Sequence, residues 1–304
     1  MIVAVTGGTG FIGSSLVEQL VNEGHEVRVL TRDKSYSKKG VETILGDICA
    51  EKTDLISFVR NVDVLYNCSG AVREPRLMKR VHVDGTRKLL EFAKGNVNRW
   101  VQLSSVGVYG RCMKGTVNEE TQQNPQGEYE CTKATSDYLV ETSGIPFSIL
   151  RPSIVFGEGM VNQSFLQFAN AISTGRFFFI GKRGALLNYI HVNDVARALQ
   201  LCGTQNEALG NDFIISETID IEQFVQIVQK VTKSIQRVHR LPKIPIRAVA
   251  ACIGWTGLIP LTASRVDALT RRSVYDSSKI QGQLGFEFKP TLEERIKSFV
   301  FNNK

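Results

Sequence analysis

The chain has 304 residues, 42% of them hydrophobic and 22% charged, with a formal net charge of +7. That length and balance suffice to bury a full core and exclude disordered and fibrous classes. Basic residues come singly or in short groups such as Lys38-Lys39 and Arg271-Arg272, so the charge suits a phosphorylated small-molecule ligand and no nucleic-acid partner is expected.

Met1 leads directly into the apolar run Ile2-Val3-Ala4-Val5, with no charged leader region or cleavage site. A cytoplasmic location is therefore expected. Short β-rich runs bounded by turn residues predict buried parallel strands at about 2–6, 26–31, 42–45, 62–67, 99–104 and 146–151. Between them, Phe11 to Asn22 carries Ile12, Leu16, Val17 and Leu20 at helical spacing and stops at Gly24. Leu77 to Lys94 repeats the pattern with Val81, Leu89, Leu90 and Phe92. Strands alternating with helices in this way predict βαβ units. The second half is mixed: a helix from Ser164 to Thr174, an extended segment from Leu187 to His191, a helix from Asn193 to Cys202 and a strand from Asp212 to Ile215. Ile244 to Leu261 is the most apolar window. With Arg247 inside and Pro245 and Pro260 near its ends, it falls short of the about 20 apolar residues of a membrane span. Packing within the second half and contact with a membrane surface or lipophilic ligand both remain open for it. The six cysteines, Cys49, Cys68, Cys112, Cys131, Cys202 and Cys252, lack C-x-x-C or Cys/His clustering. They read as reduced thiols, with no disulfide framework and no metal centre.

Gly7, Gly10 and Gly13 follow the first strand in a G-x-x-G-x-x-G spacing. A tight turn there brings the backbone close to a pyrophosphate, and the helix opening at Phe11 and Ile12 offers unpaired N–H groups and the positive end of its dipole. The second strand ends in Thr31-Arg32-Asp33-Lys34. An acid at that tip would accept from a ribose 2′-OH and repel a 2′-phosphate, whereas Arg32 can pair with that phosphate through its planar fork, so NADP(H) is expected. NAD stays open if Arg32 stacks on adenine while Asp33 takes the ribose. Further on, Ser104-Ser105 ends an apolar strand, and Tyr129 and Lys133 share one face of a helix.

The glycine loop, the Ser pair and the Tyr/Lys helix, in that order, resemble the extended short-chain dehydrogenase/reductase family, its NAD(P)-dependent nucleotide-sugar epimerase/dehydratase branch. Asp47 and Ile48 resemble its adenine-binding pair, and Ser69-Gly70 its nicotinamide-ribose loop. Val81-His82-Val83-Asp84-Gly85-Thr86 resembles its N-V-x-G-T motif with His82 in place of Asn; no catalytic function is carried onto His82. Ser104-Ser105-Val106-Gly107-Val108-Tyr109-Gly110 resembles S-S-x-x-V-Y-G, and Arg151-Pro152-Ser153-Ile154-Val155-Phe156-Gly157 resembles R-P-x-x-V-Y-G. Asn188 to Ala196 and Tyr275 to Lys279 extend the similarity over nearly the whole chain, with Asp194 expected to stabilise a helix N-terminus.

The resemblance implies an α/β fold: a doubly wound parallel-sheet Rossmann domain with a smaller, discontinuous C-terminal substrate domain. The first would comprise residues 1–152 and about 187–216, the second about 153–186 and 217–304, and two such chains would pair as a homodimer. It implies Tyr129 as the proton-transferring residue, Lys133 as the group that favours the phenolate and holds ribose hydroxyls, and Ser105 as a hydrogen-bond donor to the substrate oxygen. Ser104 would face the cofactor, and Pro152 and Ser153 would lie near nicotinamide. Many nucleotide-sugar enzymes place an Asn where this chain has Ser153. A nucleoside-diphosphate sugar is the expected substrate, its diphosphate held by residues such as Lys182, Arg183, Arg265 and Arg271. Two alternatives stand beside it: a reductase of a lipophilic ketone or sterol-like alcohol, and a non-catalytic NADP(H)-sensing or RNA- or assembly-binding protein.

Overall fold

The computed structural model describes residues 1–50, 53–160, 163–253 and 262–303. The first half lays down strands β1 (Ile2–Thr6), β2 (Glu26–Thr31), β3 (Val41–Leu45), β4 (Val62–Asn67), β5 (Val97–Leu103) and β6 (Lys114–Val117). The second half adds β7 (Phe147–Pro152), β8 (Ile154–Phe156), β9 (Phe179–Ile180), β10 (Leu186–His191), β11 (Asn211–Ile215), β12 (Glu217–Asp220), β13 (Arg240–Leu241) and β14 (Arg272–Tyr275).

Seven strands form one parallel sheet in the order β11-β7-β5-β4-β1-β2-β3. It is the doubly wound Rossmann sheet. The chain leaves β1 to one side and β4 to the other, so a crevice opens beyond the carboxyl ends of these two neighbours. Inner strands are covered on both faces, and β1 is accordingly buried along Val3, Ala4, Val5 and Thr6. The edge strand β3 has only partly exposed and exposed residues instead. On one face, the helix Phe11–Asn22 turns Leu16, Val17 and Leu20 inward, each burial contributing roughly 1.5–3 kcal/mol. On the other lie the helices Leu55–Val59, Thr86–Ala93 and Glu128–Glu141.

The segment expected to be one helix from Leu77 to Lys94 runs as Pro75–Met78, a π-helical stretch Lys79–Gly85, and then Thr86–Ala93. Wide turns of this kind recur at functional sites. Here the stretch carries His82, and the bare Cα of Gly85 lets it lie against Ile48, whose side chain would sit 2.8 Å from an added Cβ.

Residues 187–191 belong to β10, which pairs with β8 and β12 in a separate three-stranded sheet. The chain rejoins the central layers only at the helix Val192–Thr204, which lies against Phe11–Asn22, and at β11. A second core of Phe156, Phe165, Tyr189, Phe224 and Phe299 fills the space beside the small sheet. Asp194, fully buried in the first turn of Val192–Thr204, does more than stabilise that turn: it accepts from Arg197 at 2.8 Å and from Arg295 of the helix Leu292–Asn302 at 3.2 Å.

Part of the apolar window forms the helix Lys243–Ile253, which buries Ala250 against Ile180 and Val266 and leaves Ile244 exposed. Residues 254–261 lie outside the described residues. Among the described residues no helix is long and apolar enough to cross a membrane.

Candidate active site

A cavity of about 1040 Å³ opens at the crevice between β1 and β4 and continues to the small sheet and the segment before β14. Gly7, Gly10, Phe11, Ile12 and Gly13 form its floor, and Ser69 and Gly70 one wall. Ser105, Tyr129, Lys133, Pro152 and Ser153 meet on the same surface. Residues from five separate parts of the chain are thus brought together.

The three glycines have different reasons. Gly7 has φ +67°, and a Cβ on it would sit 2.6 Å from the Cys68 carbonyl oxygen at the end of β4. Gly13 lets the helix lie on the turn, since its Cβ would fall 2.1 Å from the Gly7 carbonyl oxygen. Only Gly10 is open toward the cavity, with the Gly7 oxygen at 3.2 Å as its one close neighbour. It is also the N-cap of Phe11–Asn22 and makes no side-chain cap bond. A side chain at Gly10 would therefore meet the cavity, whereas at Gly7 and Gly13 the chain's own backbone needs the space, as a tight turn requires.

Glu128–Glu141 begins with Glu128 and Glu130 in its first turn, a favourable placement against the helix dipole. It presents Tyr129 and Lys133 toward the cavity from one face. The Ser105 oxygen accepts from the Gly107 N–H at 3.1 Å, which leaves its own proton to donate. That hydroxyl and Tyr129 share the cavity lining. Burial pushes the phenol above its ordinary pKa, the Ser105 hydroxyl pulls it down, and the Asp137 and Glu130 carboxylates push it up again. The Lys133 ammonium, fully enclosed and driven down first by burial, donates to the Leu103 carbonyl at 2.8 Å. The net direction for the phenol from these groups is upward.

Ser104 lines the cavity as well, and its hydroxyl donates to Asp137 at 2.7 Å. Asp137 in turn accepts from Arg151 at 3.2 Å, and Arg151 bonds Tyr109 at 2.9 Å and pairs with Asp212. Ser104 therefore anchors the helix to β5 and β7 from below. A second buried network reaches the adjacent Ser136: Thr6 donates to Asn67 at 2.7 Å, Asn67 to Gln102 at 3.1 Å, and Gln102 to Ser136 at 3.0 Å.

Arg32, Asp47 and Ile48 lie apart from this surface, at the ends of β2 and β3. Arg32 is 72% exposed and stands 3.8 Å from Asp47. Asp33 is turned away, its carboxylate accepting from the Ser35 N–H at 2.8 Å and hydroxyl at 2.6 Å. Ile48 is buried. Of the four basic residues named for a diphosphate, Arg271 lines the cavity; Lys182, Arg183 and Arg265 do not. Arg73 and Arg111, which sequence reasoning missed, do line it. So do Met160, Phe168, Leu186, Leu187 and Leu269, an apolar surface facing the Tyr129 side. No local signal distinguishes these from core residues, because strand and helix periodicity look the same whether the buried face meets protein or ligand. Among the described residues, two polar atoms on the cavity lining are buried without a partner: Ser153 Oγ and Arg271 Nε.

The model of the NAD dependent epimerase/dehydratase family matches residues 3–216. The chain belongs to this family. It is accordingly an NAD-dependent oxidoreductase or epimerase with the extended short-chain dehydrogenase/reductase fold. A UDP-glucose 4-epimerase of Vibrio cholerae is 26% identical, over 97% of this chain and 93% of its own. A Stigmatella aurantiaca ketoreductase of 4-hydroxy-2-methyl-3-oxo-4-farnesyl-3,4-dihydroquinoline-1-oxide is also 26% identical, over 96% and 93%. Among solved structures, UDP-glucuronic acid 4-epimerase from Bacillus cereus in complex with NAD shares the fold, with a TM-score of 0.76 at 18% identity over 99% of this chain and 96% of that one.

Proposed function

We propose that this enzyme transfers hydride at a carbinol or keto carbon of a nucleotide-activated sugar, with NADP(H) as the preferred cofactor. The observation that carries the reaction type is the meeting of Ser105, Tyr129 and Lys133 in one cavity with the glycine turn. The residues fit a dinucleotide: Gly10 leaves the N–H groups of Phe11 and Ile12 open to a pyrophosphate, and the orphaned Ser153 Oγ supplies a hydrogen-bonding group at the far end. Arg32, Asp47 and Ile48 would hold the adenosine, and Ser69, Gly70, Lys133, Pro152 and Ser153 the nicotinamide ribose. The cofactor, when bound, supplies or takes up the hydride.

Tyr129 moves the accompanying proton. Its phenol gives the proton to a carbonyl oxygen in the reducing direction, and its phenolate takes the carbinol proton in the oxidising one. Ser105 holds the same oxygen through the proton that its bond from Gly107 leaves free. Arg271, on the wall between the Rossmann sheet and the C-terminal segment, holds a phosphate of the substrate. The preference for NADP(H) rests on an exposed Arg32 and on the commitment of Asp33 to Ser35.

The apolar surface of Met160, Phe168, Leu186, Leu187 and Leu269 favours a second reading, reduction of a lipophilic ketone. Cofactor oxidation with UDP- and dTDP-linked keto sugars, run against lipophilic ketones, separates the two. Competitive binding of free UDP or dTDP that weakens with salt supports the sugar reading. Failure of every nucleoside diphosphate to bind, with saturable turnover of a steroid or flavonoid ketone, moves the substrate to the second class.

A further inference from the structure

His82 lies at the middle of the π-helical stretch, buried behind the cavity wall. Its Nε2 accepts from the Ala71 N–H at 3.0 Å, immediately after the wall residues Ser69 and Gly70. Acceptance at Nε2 fixes the tautomer, so Nδ1 carries the proton and donates to Thr132 Oγ1 at 2.9 Å. The Thr132 hydroxyl passes its own proton to the Glu128 carbonyl at 2.8 Å, in the first turn of the helix that carries Tyr129. The imidazole also meets the Tyr129 ring edge-on, centroids 5.6 Å apart.

We propose that His82 is a positioning residue that clamps the Ser69–Ala71 loop to the Tyr129 helix, so that the two walls of the cofactor site hold one spacing. The inference rests on the dinucleotide reading of the cavity and on no particular substrate. The clamp works only with a neutral ring, because a proton on Nε2 would remove the acceptor for Ala71. Burial, and then the Lys133 charge, push the His82 pKa down to about 3, so the ring stays neutral in ordinary buffers.

Two substitutions separate a hydrogen-bonding clamp from a space-filling ring. His82→Phe keeps the ring and its contact with Tyr129 but loses both polar ends. His82→Gln sacrifices the ring and keeps an amide oxygen able to accept from Ala71. The affinity for NADPH and for NADH is measured by titration calorimetry, with thermal midpoints recorded alongside. The clamp requires His82→Phe to weaken the better-bound cofactor about tenfold, the value of one buried hydrogen bond at the upper end of its range, and His82→Gln to stay within about threefold of wild type. Thr132→Val, which removes the partner at the other end, should fall between them. The opposite ranking, with Phe binding like wild type and Gln losing affinity, or two variants indistinguishable from wild type, overturns the proposal. His82→Leu gives the same comparison with Gln if the Phe variant does not fold. A wild-type protein that binds neither cofactor overturns the dinucleotide reading itself, which is a different result from wild-type binding with the order reversed.

Discussion

Arg32 and Glu217 show how far single residues can be read from their surroundings. Arg32 projects from the end of β2 with most of its side chain in solvent and Asp47 3.8 Å away. Arg32→Ala should weaken NADPH about tenfold and leave NADH nearly unchanged; a charge-assisted contact of ~1.5–3 kcal/mol is discounted here for exposure and salt. Equal weakening of both cofactors in titration would reassign Arg32 to the adenine ring. Glu217 begins β12 and accepts from the Leu292 N–H at 3.1 Å, and burial raises its pKa to about 7. The folded protein therefore holds the proton more tightly than the unfolded chain, whose Glu titrates near about 4.3. The stability this contributes is complete below that value and is lost as pH rises through about 7. Glu217→Gln should match wild type in thermal midpoint at pH 4 and exceed it by about 2 °C or more at pH 8. A difference independent of pH would show that the carboxyl does not titrate in this range.

The elements differ in how much of their role is local. Tyr129 and Lys133 could be read as partners because helix spacing alone puts them on one face, and the glycine turn because it follows the first strand at once. Ser104 could not, because its direction is decided by Asp137, 33 residues later and across a helix–sheet contact. The same limit hid which backbone atoms crowd Gly7 and Gly13, those at the end of β4 and of the turn itself. It follows that Gly13→Ala should destabilise the fold by about 1–3 kcal/mol through overpacking and weaken cofactor binding as well. Gly10→Ala should keep the unfolding midpoint close to wild type and lose cofactor affinity alone. Chemical denaturation beside cofactor titration checks the pair, and a Gly10 variant as unstable as the Gly13 one would remove the distinction.

At the scale of the molecule, the alternation of strands and helices made the seven-strand sheet legible, since buried parallel strands leave continuous apolar runs. The small sheet was less so. Strand β10 resembles a core strand in composition, yet its partners are β8 and β12, and pairing choice at that distance depends on the aromatic core of Phe156, Phe165 and Tyr189 assembled from three separate segments. That arrangement sets an apolar wall and one arginine, Arg271, opposite the Ser105, Tyr129 and Lys133 surface. The account stands on the proton carried by Tyr129. Tyr129→Phe keeps the ring and its edge contact with His82 while removing only the hydroxyl. Turnover on the substrate found in the keto-sugar and ketone screen should fall by about 10²–10⁴ while NADPH binding, measured on the same protein, stays close to wild type. Undiminished turnover by Tyr129→Phe with cofactor bound would contradict the account.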